Sequence, residues 1–209
     1  MSVKDRLEQL IGSVKVREIS DFVTKMMQNK GITDFAHNQI TIIPISKQLS
    51  DDIFSATDGH SDVVGKRFAL EASKLYHEIQ SHGDVEKETA RGQIIISDKD
   101  VYDVVEAMID PDFIEDVSHG DLLDERNVYA SVKLTEKCVV VVLSVGGKRN
   151  PNVTPQQIIF FTKEKWAAYQ SSGMTIREIL YGESKKRKAD PEMIEKIKKN
   201  RVTVAHRES

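Results

Sequence analysis

The chain has 209 residues, of which 39% are hydrophobic and 30% are charged, and its formal net charge is −3. This balance is typical of an ordinary globular protein and argues against both a disordered chain and a membrane protein. The longest apolar run, CVVVVLSV at 138–145, is too short to span a bilayer, and its β-branched residues predict a buried strand.

Two further features of the sequence indicate the cellular compartment in which the protein acts. The single cysteine, Cys138, rules out an intrachain disulfide and is typical of a reducing environment. The opening residues, MSVKDRLEQL, contain no apolar signal-peptide core. The sequence therefore predicts a cytoplasmic protein with no membrane partner.

Charge is distributed unevenly along the chain. From Tyr181 onward there are nine Lys and Arg against five Asp and Glu, a local balance of +4, which leaves −7 for the rest. A basic segment on an acidic body can contact phosphates, because each cation placed on a phosphate releases counterions. The simpler interpretation is a solvated surface helix.

The first half of the chain shows helical spacing on both sides of a short strand. Apolar residues three and four apart predict one or two amphipathic helices within residues 2–30. QITIIPI at 39–45 predicts an edge strand, since Pro44 has no amide proton to donate. Ser50 is a candidate cap for the next short helix.

Two helices and a run of strands follow. A helix from about Leu70 is predicted to end at Gly83, and another begins at Ser97 and ends before Pro111. Strands are predicted at 125–134, 137–145 and 156–162, and helices at 163–171, 175–181 and 190–200.

Because helical and strand periodicities are segregated, the predicted fold class is α+β, a small antiparallel sheet packed against helices, with helical N- and C-terminal extensions. The predicted divisions are an N-terminal helical extension (1–35), an α+β domain (36–165) and C-terminal helices with a basic tail (166–209).

The one close pair of histidines is His77 and His82, in the segment HEIQSHG. A zinc protease motif, H-E-x-x-H, needs ligands four residues apart on one helix face. Here the second histidine is five residues on, which places the rings about 140° apart on an ideal helix. The spacing argues against a zinc site, and no metal or other cofactor is predicted.

The order of several motifs along the chain resembles that of a known protein group. The motifs are the strand-like segment QITIIPISKQLSDDI, the Asp58-Gly59 loop, the H-x4-H helix end at His82-Gly83, the helix capped by Ser97-Asp98, the Asp110-Pro111-Asp112 break, and strands ending in Phe160-Phe161-Thr162. Over residues 40–165 this order resembles the phage and mobile-element nuclease group with the barnase-EndoU-colicin-RelE-like fold. That group often stands at the end of phage head-morphogenesis proteins.

The resemblance implies a toxin-like, metal-independent ribonuclease, acting in a bacterial cell or delivered by a phage. His77 and His82 match the histidine helix end of the group, and Thr162 matches a hydroxyl residue on its last core strand. The implied partners are RNA, with tRNA as one candidate, and an inhibitor or a phage structural protein.

Cleavage of RNA without a metal needs a base for the 2'-hydroxyl, an acid for the leaving 5'-oxygen and cations for the phosphate. Histidine suits both proton roles because its ordinary pKa is about 6.5. The candidate phosphate-binding cations are Arg91, Lys133, Lys148 and Arg149. The competing interpretation is that one histidine caps the helix C terminus or fills the core.

A second hypothesis comes from where the chain departs from the nuclease pattern. After Thr162 it continues as a helical segment, KEKWAAYQSSGMTIREILYG, and it also carries its own helical N terminus. The chain would then be a non-catalytic phage or mobile-element accessory protein that binds a protein or nucleic acid through its terminal helices. Convergence of His77, His82 and Thr162 on one open cleft would favour the nuclease.

Overall fold

A computed structural model describes residues 1–29, 37–117, 126–180 and 202–203. Its helices are α1 (Val3–Ile11), α2 (Ser13–Gln28), α3 (Lys47–Ala56), α4 (Ala72–Ser81), α5 (Val85–Arg91), α6 (Val101–Ile109), α7 (Lys163–Ser171) and α8 (Ile176–Leu180). Its strands are β1 (Gln39–Pro44), β2 (Arg67–Glu71), β3 (Gln93–Ile94), β4 (Phe113–Glu115), β5 (Arg126–Leu134), β6 (Val139–Gly147), β7 (Asn152–Phe161) and β8 (Val202–Thr203). The fold class is α+β.

The strands form one mixed sheet in the order β1-β2-β7-β6-β5-β4-β8, and β3 also pairs with β7. Only β2 and β7 pair in parallel; the other pairs among the described strands are antiparallel. The predicted meander of β5, β6 and β7 is confirmed as the centre of the sheet. The sheet is nevertheless larger than the small one predicted, because strands from both ends of the chain join it.

The strand β2 accounts for part of this difference. Phe68, Ala69 and Leu70 are all fully buried, so both faces of the strand are covered. A strand buried on both faces reads as a continuous apolar run rather than an alternating one. Sequence periodicity instead placed the start of a helix at Leu70, whereas α4 begins at Ala72.

The two faces of the sheet support two apolar clusters. Successive residues of β6 alternate between them, since side chains of a strand point to opposite faces. Val140 and Val142 join a cluster with residues of α1, α2, α3, α4 and α6, and Val139 and Val141 join another with Trp166 of α7 and Ile176 of α8. The main core therefore lies between the sheet and the helices of the N-terminal half.

Two predicted element boundaries differ in detail, and one predicted helix is not tested. The cap of α3 is Ser46, whose Oγ accepts from the Leu49 amide at 3.2 Å, while Ser50 is buried inside the helix. The β5–β6 turn spans 135–138 rather than two residues, and Thr135 closes it by donating its amide to the Cys138 carbonyl. The helix predicted at 190–200 falls outside the described residues.

Other predicted elements are confirmed. Residues 2–30 contain α1 and α2, separated at Gly12, whose φ of +84° is in the range that favours glycine. Strand β1 is the edge strand that Pro44 indicated. Among the helices that the structure describes, none combines the length and the apolar character required to cross a bilayer.

Candidate functional site

One edge of β7 is shared by two short strands. β6 runs along the opposite edge, while β2 pairs with Asn152 and Val153 and β3 pairs with Phe160 and Phe161. Between these pairings, none of the described strands is bonded to residues 154–159 on this side. We call this stretch, residues 154–159, the split edge.

Polar side chains on one side of helix α4 form a stripe that lies along the split edge. Lys74, Glu78 and His82 are spaced four residues apart and so lie on one side of the helix, while Ala72, Leu75 and Ile79 enter the core. Lys74 Nζ lies 3.4 Å from Thr154 Oγ1. Glu78 Oε2 accepts the Ile158 amide at 2.8 Å, which supplies a partner that a neighbouring strand would otherwise provide.

His82 occupies the last position of this stripe, at the C-cap of α4. Its amide still donates to the Glu78 carbonyl, so the helix does not end before it. The ring Nδ1 lies 3.0 Å from Glu88 Oε2, and Nε2 lies 3.8 Å from Glu78 Oε2. The imidazole is therefore held between two carboxylates.

Glu88 comes from α5, which begins after the chain turns at Gly83. Asp84 caps this helix by accepting the Lys87 amide, and Gly92 ends it with a φ of +70°. Glu88 is the only buried residue of α5, and its Oε1 accepts from Arg91 Nη1 at 3.1 Å. We refer to Glu78, His82, Glu88 and Arg91 as the carboxylate–histidine network.

The network leads from the sheet to solvent. The Glu88 side chain is only 1% exposed, His82 is 14% exposed and Arg91 is 60% exposed. The Glu78 side chain is 10% exposed, so it can be reached from outside while Glu88 cannot.

Burial also changes the acidity of the site. It raises the pKa of Glu78, against the lowering effects of the Ile158 amide and of positive charge on His82 and His77. A carboxylate with a raised pKa is a better proton acceptor near neutral pH than an ordinary one. Glu78 is therefore the candidate proton acceptor of the site.

His77 does not join the network among the described hydrogen bonds. It is exposed on α4, with Nε2 lying 3.3 Å from Ser81 Oγ. Because α4 is continuous from His77 to Ser81, the two histidines leave it in different directions and have different partners. Convergence of both rings on one cleft, the observation that would favour two catalytic histidines, would need α4 to end between them, and α4 runs to Ser81.

Thr162 lies near the network through its backbone. Its amide donates to the Gly92 carbonyl at 3.1 Å, which places it beside the residue that follows Arg91. Its hydroxyl caps α7 by accepting the Lys165 amide at 3.2 Å. The hydroxyl therefore has a helix-capping contact, and no described contact joins it to His82.

Lys133 is bound elsewhere in the fold. It is buried on β5, and Nζ donates to the Asp110 carbonyl at 2.6 Å and to Asp110 Oδ2 at 2.8 Å. A carboxylate of Asp112 lies 3.7 Å away. These contacts fasten the end of α6 to the sheet.

Lys148 and Arg149 are exposed in the turn between β6 and β7. The buried ammonium of Lys66 donates to three carbonyls of this turn, those of Gly147, Lys148 and Asn150, at 3.2, 3.0 and 2.7 Å. The turn is thus built around a cation, with carbonyl oxygens gathered where a phosphate cradle needs amides. No described hydrogen bond joins either side chain to the network.

Sequence reasoning missed both carboxylates of the network. Glu78 precedes His82 by four residues, so helical spacing alone could have placed it on the same face. Glu88 gave no such signal, because it meets His82 only after the chain turns at Gly83. Arg91 is the one predicted cation that the structure brings to His82, through Glu88.

Comparison with family models, with curated proteins and with solved structures found no match. Within the described part of the chain, no group of three or more His, Cys, Asp or Glu side chains is arranged to hold a metal ion. The geometry of the site itself is therefore the basis for a functional proposal.

Proposed function

We propose that this chain is a metal-independent ribonuclease of the toxin-like, phage or mobile-element kind, in which Glu78 and His82 carry out the proton transfers. The observation that carries the proposal is the His82 ring, held by Glu88 so that Nε2 faces the carboxylate of Glu78 at 3.8 Å. A proton acceptor beside a proton donor is what cleavage by the 2'-hydroxyl needs.

In the proposed reaction Glu78 accepts the proton of the 2'-hydroxyl as the 2'-oxygen forms its bond to phosphorus. Protonated His82 gives a proton from Nε2 to the 5'-oxygen as the bond between phosphorus and that oxygen breaks. The products are a 2',3'-cyclic phosphate and a free 5'-hydroxyl. In the next step the two groups return to their starting protonation states through water.

Arg91 supports the proposal as the phosphate-binding cation. Its guanidinium is exposed and carries a permanent charge. It donates one hydrogen bond to Glu88, so its other N–H groups remain available to phosphate oxygens. Stabilisation of the charged phosphorus centre by such a cation is electrostatic. Lys74, at the other end of the polar stripe, is already paired with Glu71 at 3.2 Å, which leaves Arg91 as the phosphate-binding cation of the site.

Purified chain should cleave RNA, tRNA included, in the presence of EDTA and leave 2',3'-cyclic phosphate ends. We expect His82→Ala and Glu78→Gln each to lower the cleavage rate by about 10²- to 10⁴-fold, the usual contribution of a general acid or base. The side-chain amide introduced by Glu78→Gln keeps an oxygen that can accept from the Ile158 amide, so this variant should fold. The measurement is the rate of product formation on a 5'-labelled RNA, whose labelled fragment carries the cyclic phosphate end.

Two further histidine variants sharpen the experiment. His60→Ala, in an exposed loop, is the matched control and should cleave like the unaltered chain. His77→Ala separates two mechanisms, since a loss as large as that of His82→Ala would support two catalytic histidines and not the Glu78–His82 pair. If the unaltered chain cleaves none of a broad panel of RNAs, the ribonuclease proposal fails and the non-catalytic accessory function replaces it.

A further inference from the structure

Glu88 combines two features that its place in the chain does not explain. It is almost fully buried, yet it lies on a seven-residue helix that buries no other residue. Its two oxygens face two different side chains, Oε2 facing His82 Nδ1 at 3.0 Å and Oε1 accepting from Arg91 Nη1 at 3.1 Å. A buried carboxylate with both oxygens matched to donors is a strong orienting group.

We infer that Glu88 is a positioning residue that sets both the tautomer of His82 and the place of Arg91. This inference rests on the proposed ribonuclease function. An ionised carboxylate only accepts hydrogen bonds, so it selects the tautomer of neutral His82 that carries its proton on Nδ1. Nε2 is then the nitrogen that takes up and gives the catalytic proton, and it lies on the side of Glu78, at 3.8 Å.

The second oxygen of Glu88 performs a separate task at the rim of the site. An arginine side chain that is 60% exposed has many rotamers, and the contact with Glu88 restricts them. A substrate phosphate then meets a guanidinium held by the same carboxylate that holds His82. One carboxylate thus prepares the proton-transfer group and the phosphate-binding group together.

The variant Glu88→Gln tests this double role because an amide offers one acceptor and one donor in place of two acceptors. If the amide oxygen stays on His82, its NH2 group faces Arg91 and the guanidinium is displaced. If the amide oxygen turns to Arg91, the NH2 group faces Nδ1 and favours the tautomer protonated on Nε2. The introduced amide can therefore satisfy one of the two donors but not both.

Two measurements distinguish whether the amide oxygen stays on His82 or turns to Arg91. The tautomer of His82 is read from the ¹⁵N chemical shifts of its ring nitrogens, with His82→Ala used for assignment. The kinetic constants kcat and KM are measured on a single RNA across a pH series. We expect Glu88→Gln to change the tautomer and lower kcat by about 100-fold or more, or to keep the tautomer and raise KM at least several-fold.

Two variants on the same helix complete the design. Glu88→Asp keeps two acceptor oxygens and should recover activity relative to Glu88→Gln, which a requirement for helix packing alone would not predict. Glu86→Gln, at an exposed position, is the matched control for the loss of one negative charge. Circular dichroism and the thermal midpoint check the fold of each variant.

The inference is overturned if Glu88→Gln leaves the tautomer, kcat and KM all equal to those of Glu86→Gln. It is also overturned if the unaltered chain carries the neutral His82 proton on Nε2, a measurement that needs no variant to fold. If no RNA is cleaved at all while the Nδ1 tautomer depends on Glu88, the proposed function fails and the positioning of His82 by Glu88 stands.

Discussion

Asp103 on α6 shows how a single half-buried carboxylate couples stability to pH. Burial, with the neighbouring charges of Asp100 and Glu106, raises the pKa of Asp103 to about 6, and Arg6 and Lys137 oppose this rise. The folded state therefore binds more protons than the unfolded state, whose Asp pKa is near 3.8. Stability falls as pH rises from about 4 to about 6, and the cost of the ionised group is complete above that window.

The variant Asp103→Asn removes the ionisation and keeps the shape of the side chain. We expect it to raise the thermal midpoint at pH 7.5 and to have little effect at pH 4, where Asp103 is already protonated in the folded state. The measurement is a series of thermal unfolding curves between these two values. Asp98→Asn, at an exposed site on the preceding turn, is the control; an equal shift of Asp103→Asn at both pH values would contradict the assignment.

Individual cations also show which site residues the sequence can identify. Charge alone selected Lys133 and Arg91 equally, but Lys133 is bound to Asp110 and Arg91 to Glu88. Asp110 is 23 residues from Lys133 in the chain and lies at the C-cap of α6. The role of a cation depends on such distant neighbours, so residue type and spacing could not separate the two.

At the level of elements, α1 is fastened to α6 by an ion pair. Arg6 donates through Nε and Nη2 to the two oxygens of Glu106, at 2.9 Å for Nη2 and Oε2, and the Glu106 side chain is only 1% exposed. The contact raises the pKa of Arg6, with the hydrogen bond to Glu106 as its largest cause. Helix α1 thus depends on one paired buried charge as well as on Leu7 in the core.

We expect Arg6→Leu to destabilise the fold by about 3 kcal/mol, because it leaves the buried Glu106 carboxylate without its charged partner. The double variant Arg6→Leu, Glu106→Leu should recover most of that loss, since an apolar pair of similar volume needs no desolvation of charge. Urea unfolding of both variants measures the difference. A double variant no more stable than the single one would show that the geometry of the ion pair itself is required.

Elements with strong local signals were predictable. Helix α7 begins and ends where its spacing indicated, and the turn at Ser97 that opens α6 has the predicted side-chain cap, shared with Asp100. Elements without such signals were not. β2 has no alternation because both of its faces are buried, and α5 has no apolar stripe because its one buried side chain is Glu88.

For the whole molecule, the site exists because distant parts of the chain meet on β7. Residues 72–91 lie between β2 and β3, and both of these strands pair with β7, some 60 to 90 residues further along. This pairing creates the split edge and places Glu78 on the Ile158 amide. The sequence identified His82 as a candidate, but the partners that give it a chemical role depend on this long-range pairing.

The charge asymmetry of the whole chain bears on binding rather than on proton transfer. The basic cluster Lys185, Lys186, Arg187 and Lys188 lies outside the described residues, but its charge is evident from the sequence. Deleting residues 181–209 would also remove β8, which pairs with β4. Substitution of the four residues by Gln therefore tests the charge without removing that strand.

We expect the four substitutions to weaken binding of single-stranded RNA and to reduce the salt dependence of the affinity. Each lost phosphate contact lowers the slope of log K against log salt by about 0.7, so the full set changes it by up to about 3. Gln at Lys4, Arg17, Lys25 and Lys99 removes the same charge from exposed positions elsewhere and serves as the control. Equal slopes for the two variants across a salt series would exclude the cluster as a phosphate contact, because a general loss of net charge would then explain both.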